Sequence, residues 1–305
     1  MVSRAAQPAP AEQRGPVRRL LDVWGFVPGL AVPHEDVRVV TRDGVRLAGS
    51  YVHGPPEPAA GTRPAVLLAH GFAGHRRKPS YAALAEGLAR DVAVLSLDLR
   101  GHGESAGRCS LGDREVLDVR AGVAWLRQTG HDWVGVVGVS MGASAALRAA
   151  GLGPPGLVDA VCAISGPAEF LGHTTPAVEA LARTMTSTPW RLLAEAAWHV
   201  RLARQWGHPA SAVSVTGRIA PTPVLLVHGR DDHYFGPDHA QRLYAAARPP
   251  RTLWLEPDGF GHAEDGLSPP FVVRLRAALA EVRAAGAWPA RGACLDGARS
   301  VQVTG

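Results

Sequence analysis

A chain of 305 residues, 46% apolar and 19% charged, can bury a large core without metal or disulfide staples, and its composition excludes a disordered chain. The net charge of +5 would suit a nucleic-acid partner, but the arginines are scattered among acids, no basic tract persists and Lys78 is the single lysine, so none is expected. Cys109, Cys162 and Cys294 are odd in number, far apart and without a CxxC pair, which argues against both a disulfide framework and a zinc site.

Residues 1–34 read as an N-terminal extension. Its first sixteen residues are rich in alanine and proline. The one signal-like stretch, LLDVWGFVPGLAV after Arg18-Arg19, carries Asp22 and Pro28 and has no clear cleavage site. Segment 17–32 is expected to pack on the body as a short element. No run has the length of a membrane span, and a cytoplasmic enzyme is the plain expectation.

Over 36–53, apolar and polar residues alternate on both sides of Asp43-Gly44, a β-hairpin signal that places an antiparallel edge at the start of a sheet. After a turn-rich connection at 54–63 the pattern changes. PAVLLAH (64–70), VAVLSLD (92–98), WVGVVGVS (133–140), VDAVCAIS (158–165) and TPVLLVHG (222–229) are short, continuously apolar runs, which suit parallel strands covered on both faces. Cys162 lies inside one of them and reads as a buried hydrophobe.

Helices are expected between the strands at 80–90, 113–128, 141–151 and 274–286. In the second, Val116, Val119, Val123 and Leu126 recur at helical spacing and would line one face. Strand and helix alternate over 35–166 and again over 218–286, which indicates one α/β domain: a mostly parallel sheet with helices on both faces and an N-terminal antiparallel hairpin. Residues 167–217 break the rhythm and read as a helical cap insertion placed to cover a pocket. The tail, 287–305, has weak periodicity and is expected to be partly ordered at most.

The sharpest signal is Gly138-Val139-Ser140-Met141-Gly142, directly after an expected strand and before an expected helix. A nucleophile on so tight a turn needs small neighbours two positions away on either side, and its hydroxyl projects at a helix N-terminus, where N–H groups can stabilise negative charge. Met141 offers one such N–H. The glycine turn His70-Gly71-Phe72, just after the strand at 64–70, offers a second on Phe72. His70 itself has no required catalytic role.

A serine is a weak nucleophile without a base. Among thirteen histidines, His262 stands out by its place in a glycine-flanked loop, Asp258-Gly259-Phe260-Gly261-His262, late in the chain after TLWLEP. The carboxylate that orients it is expected between Ser140 and His262, where Asp231 and Asp232 follow the strand at 222–229. The one not used would cap the next helix or form an ion pair. Asp238, just ahead of HAQRLYAAA, is an N-cap candidate for that helix.

With these residues the chain resembles the α/β-hydrolase superfamily, especially its cap-bearing esterase, lipase and serine-aminopeptidase-like members. The resemblance covers roughly 36–286 and rests on His70-Gly71-Phe72, Asp98-Leu99-Arg100-Gly101-His102-Gly103-Glu104-Ser105, Gly138 to Gly142, Val227-His228-Gly229-Arg230-Asp231-Asp232 and Gly261-His262. It implies an α/β-hydrolase fold and favours Asp232 over Asp231, because the family's acid usually stands three residues after the glycine that closes the strand. It also implies that Arg100, His102 and Ser105 are scaffold residues.

The implied activity is a serine hydrolase that cleaves a carboxylic ester of a small or medium apolar substrate through Ser140, Asp232 and His262. The oxyanion would be held by the N–H groups of Phe72 and Met141. Thioesterase, amidase or peptidase, carbon–carbon hydrolase and acyltransferase chemistry would use the same triad, and a noncatalytic binding protein on this fold is the reading from another class. No cofactor or metal is required, and the partner is a small acyl substrate; monomer and homodimer stay equally open. Phe72, Trp190, Leu193, Trp198 and Leu202 would suit an apolar substrate pocket, although the same side chains equally suit packing of the cap helices on one another.

Overall fold

The alternation around Asp43-Gly44 produces a hairpin. Strands β1 (Glu35–Val40) and β2 (Arg46–Val52) pair antiparallel with Val39 opposite Leu47, and Gly44 makes the turn at φ 81°. The structure is a computed structural model that describes residues 29–55, 62–170, 175–176, 178–179, 188–205, 207 and 209–290.

The apolar runs form β3 (Pro64–Ala69), β4 (Ala93–Leu97), β5 (Trp133–Val139), β6 (Ala160–Ile164), β7 (Val224–Gly229) and β8 (Arg251–Glu256). They join the hairpin in one eight-stranded sheet of order β1-β2-β4-β3-β5-β6-β7-β8. β2 meets β4 antiparallel, and every pairing from β4 to β8 is parallel.

Because successive side chains of a strand point to opposite faces, each buried strand feeds two cores. Leu67, Leu95, Leu97 and Val136 pack beneath α2 (Glu115–Gln128) and α3 (Met141–Gly151). Val66, Leu68, Val137 and Ile164 pack beneath α1 (Pro79–Leu88) and the C-terminal helix (Pro269–Ala285). Val116, Val119, Val123 and Leu126 are buried along one face of α2 as their spacing predicts, and Cys162 is fully buried.

Between β6 and β7 the described residues include α4 (Thr188–Trp198) and the short α5 (Ala212–Thr216). After β7 comes α6 (Pro237–Ala246), and after β8 a 3₁₀ turn (Ala263–Gly266) leads to α7, the C-terminal helix Pro269–Ala285.

Two local expectations are corrected. The last helix begins at Pro269, five residues before Arg274, because two prolines fit its first turn, where no intrahelical N–H bond is lost. Asp238 is not an N-cap: Gly236 holds that position, Pro237 begins the helix and Asp238 lies in the first turn. In the tail, Trp288 is buried against the sheet and donates its indole N–H to the Pro223 carbonyl at 3.1 Å. Residues 291–305 of that tail, and 17–28 of the N-terminal segment, lie outside the described residues; Leu30 of that segment is buried. No helix among the described residues is long and apolar enough to cross a membrane.

Candidate active site

β3 leads to β4 on one side of it, and the chain then crosses to the other side to form β5. The C-terminal ends of β3 and β5 therefore border the crevice where sheet order reverses, the ordinary ligand site of an open α/β sheet. Ser140 stands there between β5 and α3 with φ 52° and ψ −112°, a strained conformation that L residues rarely adopt. The turn closes only over glycine. A Cβ on Gly138 would overlap the Gly142 carbonyl, and one on Gly142 would overlap the Ala69 carbonyl of β3. Gly71 is so near that a Cβ there would stand 3.3 Å from that of Ser140.

The structure brings Ser140, His262 and Asp232 together. The serine Oγ lies 3.0 Å from His262 Nε2, and His262 Nδ1 lies 2.7 Å from Asp232 Oδ2. Asp232 is buried, and its other oxygen accepts the N–H groups of Tyr234 at 2.9 Å and Phe235 at 3.0 Å. With Oδ1 pinned by the backbone, Oδ2 is directed at the imidazole. The histidine thus donates from Nδ1 and presents Nε2 to the serine as an acceptor.

Asp231 holds the histidine loop. Its carboxylate accepts the N–H groups of Gly259 at 2.6 Å and Gly261 at 2.9 Å, and these two bonds, the Gly259 one foremost, lower its pKa. Ala263 N–H, bonded to Ser165 Oγ at 2.9 Å, ties the same loop to the end of β6. Sequence reasoning did not find this role for Asp231, which depends on a contact 28 to 30 residues away. It also missed His228, which is buried at the end of β7, donates from Nε2 to the Phe235 carbonyl at 2.8 Å and so braces the Asp232 turn.

Across the crevice, the loop after β3 spends its N–H groups on internal partners. Gly71 N–H goes to the Tyr81 hydroxyl at 2.8 Å, Ala73 N–H to His102 Nε2 at 3.2 Å, and Gly74 N–H to the Gly71 carbonyl at 3.0 Å. Phe72 N–H has no protein acceptor among the described residues. Met141 is the first residue of α3, where a helix leaves N–H groups without intrahelical partners. Two donors thus flank Ser140.

His70 and His102 are structural. His70 Nε2 accepts the Leu99 N–H at 2.9 Å while its Nδ1–H faces the Gly71 carbonyl, and His102 Nδ1–H faces the Arg100 carbonyl at 3.0 Å. Arg100 clamps Asp118 and the hairpin residue Asp43, and Ser105 bonds the Asp98 carbonyl and the Ala48 N–H. Burial lowers the pKa of both histidines to about 3, so each is neutral where it serves as an acceptor. The unfolded chain takes these protons near pH 6.5, hence binds more protons than the folded chain between about 6.5 and 3. The stability they contribute is complete above about pH 6.5 and falls below it by about 1.4 kcal/mol per pH unit for each histidine. The urea midpoint should therefore drop between pH 7 and pH 5, and less steeply in His102→Gln. Equal midpoints at the two pH values in the unsubstituted protein would show that these rings are not held neutral.

Of the residues expected to line a pocket, Phe72 and Trp198 meet edge to face with ring centroids 5.5 Å apart. Leu202 does not belong to an open pocket: it is fully buried, and its backbone bridges to Cys109 in the core. Leu193 is 59% exposed on α4. Trp190 lies on the same helix, but its side chain is outside what the structure describes. Phe170 and Phe235, in edge contact at 6.2 Å, and Tyr234, whose ring centroid is 4.8 Å from that of His262, were not foreseen.

Comparison with known proteins agrees with the geometry. Residues 64–188 match the family model of the alpha/beta hydrolase fold. The uncharacterized protein Rv2307c of Mycobacterium tuberculosis is 31% identical over 240 residues, which span 76% of this chain and 73% of that protein. The uncharacterized protein YfhR of Escherichia coli K12 is 27% identical over 230 residues, 74% of this chain and 72% of its own. Among solved structures, the Pyrococcus furiosus esterase Pf2001 superposes with a TM-score of 0.64 at 25% identity, covering 85% of this chain and 92% of that one. The chain belongs to the α/β-hydrolase superfamily.

Proposed function

We propose that this protein is a serine hydrolase that cleaves a carboxylic ester of a small or medium apolar substrate. The observation that carries the proposal is the Ser140–His262–Asp232 hydrogen-bonded series at 3.0 and 2.7 Å, on a strained turn beside the Phe72 N–H, which has no acceptor among the described residues. His262 Nε2 takes the Ser140 proton as Oγ attacks the acyl carbon, and Asp232 stabilises the imidazolium. The oxyanion that develops is held by the N–H groups of Phe72 and Met141, already in place before the reaction. His262 then protonates the leaving group, and water repeats the sequence on the acyl-enzyme.

The likeness to an esterase from Pyrococcus furiosus supports the ester, and the aromatic wall of Phe72 and Trp198 supports an apolar group next to it. The test is acyl chain-length dependence on chromogenic esters with matched thioesters. Turnover that prefers oxygen esters of short or medium chain is the expected result. Turnover confined to thioesters would change the leaving group and keep the triad. No turnover on either series, despite covalent labelling of Ser140 by a fluorophosphonate, would overturn the substrate assignment.

A further inference from the structure

The proposed chemistry needs the Phe72 N–H, on the loop after β3, and the His262 imidazole, on the loop after β8, at a fixed separation. Three strands lie between β3 and β8, so strand pairing alone refers one loop to the other only remotely. A shorter link runs through the N-terminal end of α1. Tyr81, in the first turn of α1 and 2% exposed, accepts the N–H of Gly71, the residue before Phe72, at 2.8 Å. Glu264, two residues after His262, lies close enough for its charge to act on this phenol. Burial, with the Glu264 charge second, raises the tyrosine pKa well above its ordinary value and keeps its hydroxyl neutral.

Glu264 is held in turn. Lys78, the N-cap of α1 and three residues before Tyr81, forms an ion pair with it. No other lysine exists in the chain. One short stretch of chain, Lys78 to Tyr81, thus holds the Gly71 N–H on one side and Glu264 on the other.

We propose that Tyr81, Glu264 and Lys78 form a positioning relay that sets the distance between the Phe72 oxyanion donor and the His262 base. None of the three reaches the reacting atoms, so they are positioning residues and not catalytic ones. The proposal rests on the serine-hydrolase reading. Its energetic logic is that a displacement of a fraction of an ångström between donor and base costs rate without costing substrate binding.

The experiment compares Tyr81→Phe, Glu264→Gln, Lys78→Met and Lys78→Arg on the best ester of the panel, with active sites counted by fluorophosphonate so that misfolded molecules drop out. Tyr81→Phe and Glu264→Gln are each expected to lower kcat per titrated site about ten-fold with KM changed by less than about two-fold. The double variant should be no worse than either single one, because both break the same link. Lys78→Met should lose about three-fold in kcat and Lys78→Arg should restore most of it, since either cation can hold Glu264. Fewer titratable sites with unchanged kcat per site would mean that the three residues only stabilise the fold, and would overturn the relay while leaving the hydrolase reading intact. Failure of the unsubstituted protein to label at Ser140 would overturn both.

Discussion

Replacing Ser140 by alanine is expected to lower kcat on the preferred ester by about 10⁵-fold or more, the scale on which removing one member of a triad acts. The same variant should lose all labelling by fluorophosphonate, because among the described residues no other hydroxyl is both beside a histidine Nε2 and next to the two donors. The fold should be unaffected. Ser140 stands on the turn between β5 and α3, where its hydroxyl bonds His262 Nε2, and its N–H, which the variant keeps, is what ties the turn to the Ile164 carbonyl at 2.8 Å. Alanine inherits the positive φ, so the strain of the turn is unchanged and only the nucleophile is lost. The far-UV circular dichroism and the melting temperature of the variant should match those of the parent. Retained turnover in a clean preparation would remove Ser140 as nucleophile, and a collapsed fold would show that the residue is structural.

Much of this site could be read from local pattern. The parallel strands announce themselves because a strand buried on both faces must be apolar at every position, and Val66 and Leu67, pointing to opposite cores, show the reason. The nucleophile turn is legible because Gly138 and Gly142 answer to backbone atoms within a few residues or on the adjacent strand. What the sequence hides are roles that come into being only when distant loops meet. Asp231 looks like a neighbour of the acid, yet its partners are the two glycines that frame His262. Leu202 has the composition of a pocket residue, and the Cys109 bridge that takes it into the core spans 93 positions of chain. Tyr81 sits in a helix whose periodicity explains its burial fully, so nothing local hints at a hydroxyl that holds the loop after β3.

Asp232→Asn should lower kcat/KM by about 10³–10⁴-fold, and Asp231→Asn by about ten-fold at most. The difference follows from which atoms each carboxylate engages. Two backbone N–H groups, from Tyr234 and Phe235, already occupy Asp232 Oδ1. An asparagine there must keep its carbonyl oxygen on those donors, which turns its NH₂ toward His262 Nδ1. Nδ1 then becomes an acceptor, the ring proton moves to Nε2, and the nitrogen facing Ser140 at 3.0 Å can no longer take the serine proton. The variant keeps its shape and holds its histidine in the wrong tautomer. Asparagine at 231 keeps one acceptor of the two, so one of Gly259 and Gly261 loses its partner and the histidine loop loosens, with no change in the tautomer of His262. The two variants also differ in kind. Asp231→Asn should regain rate when the loop is stiffened by low temperature, whereas Asp232→Asn should regain it only as rising pH ionises the serine without help. If Asp231→Asn is the more damaged of the pair, the orienting carboxylate is Asp231, and the loop bonds it makes here are not those of the working enzyme.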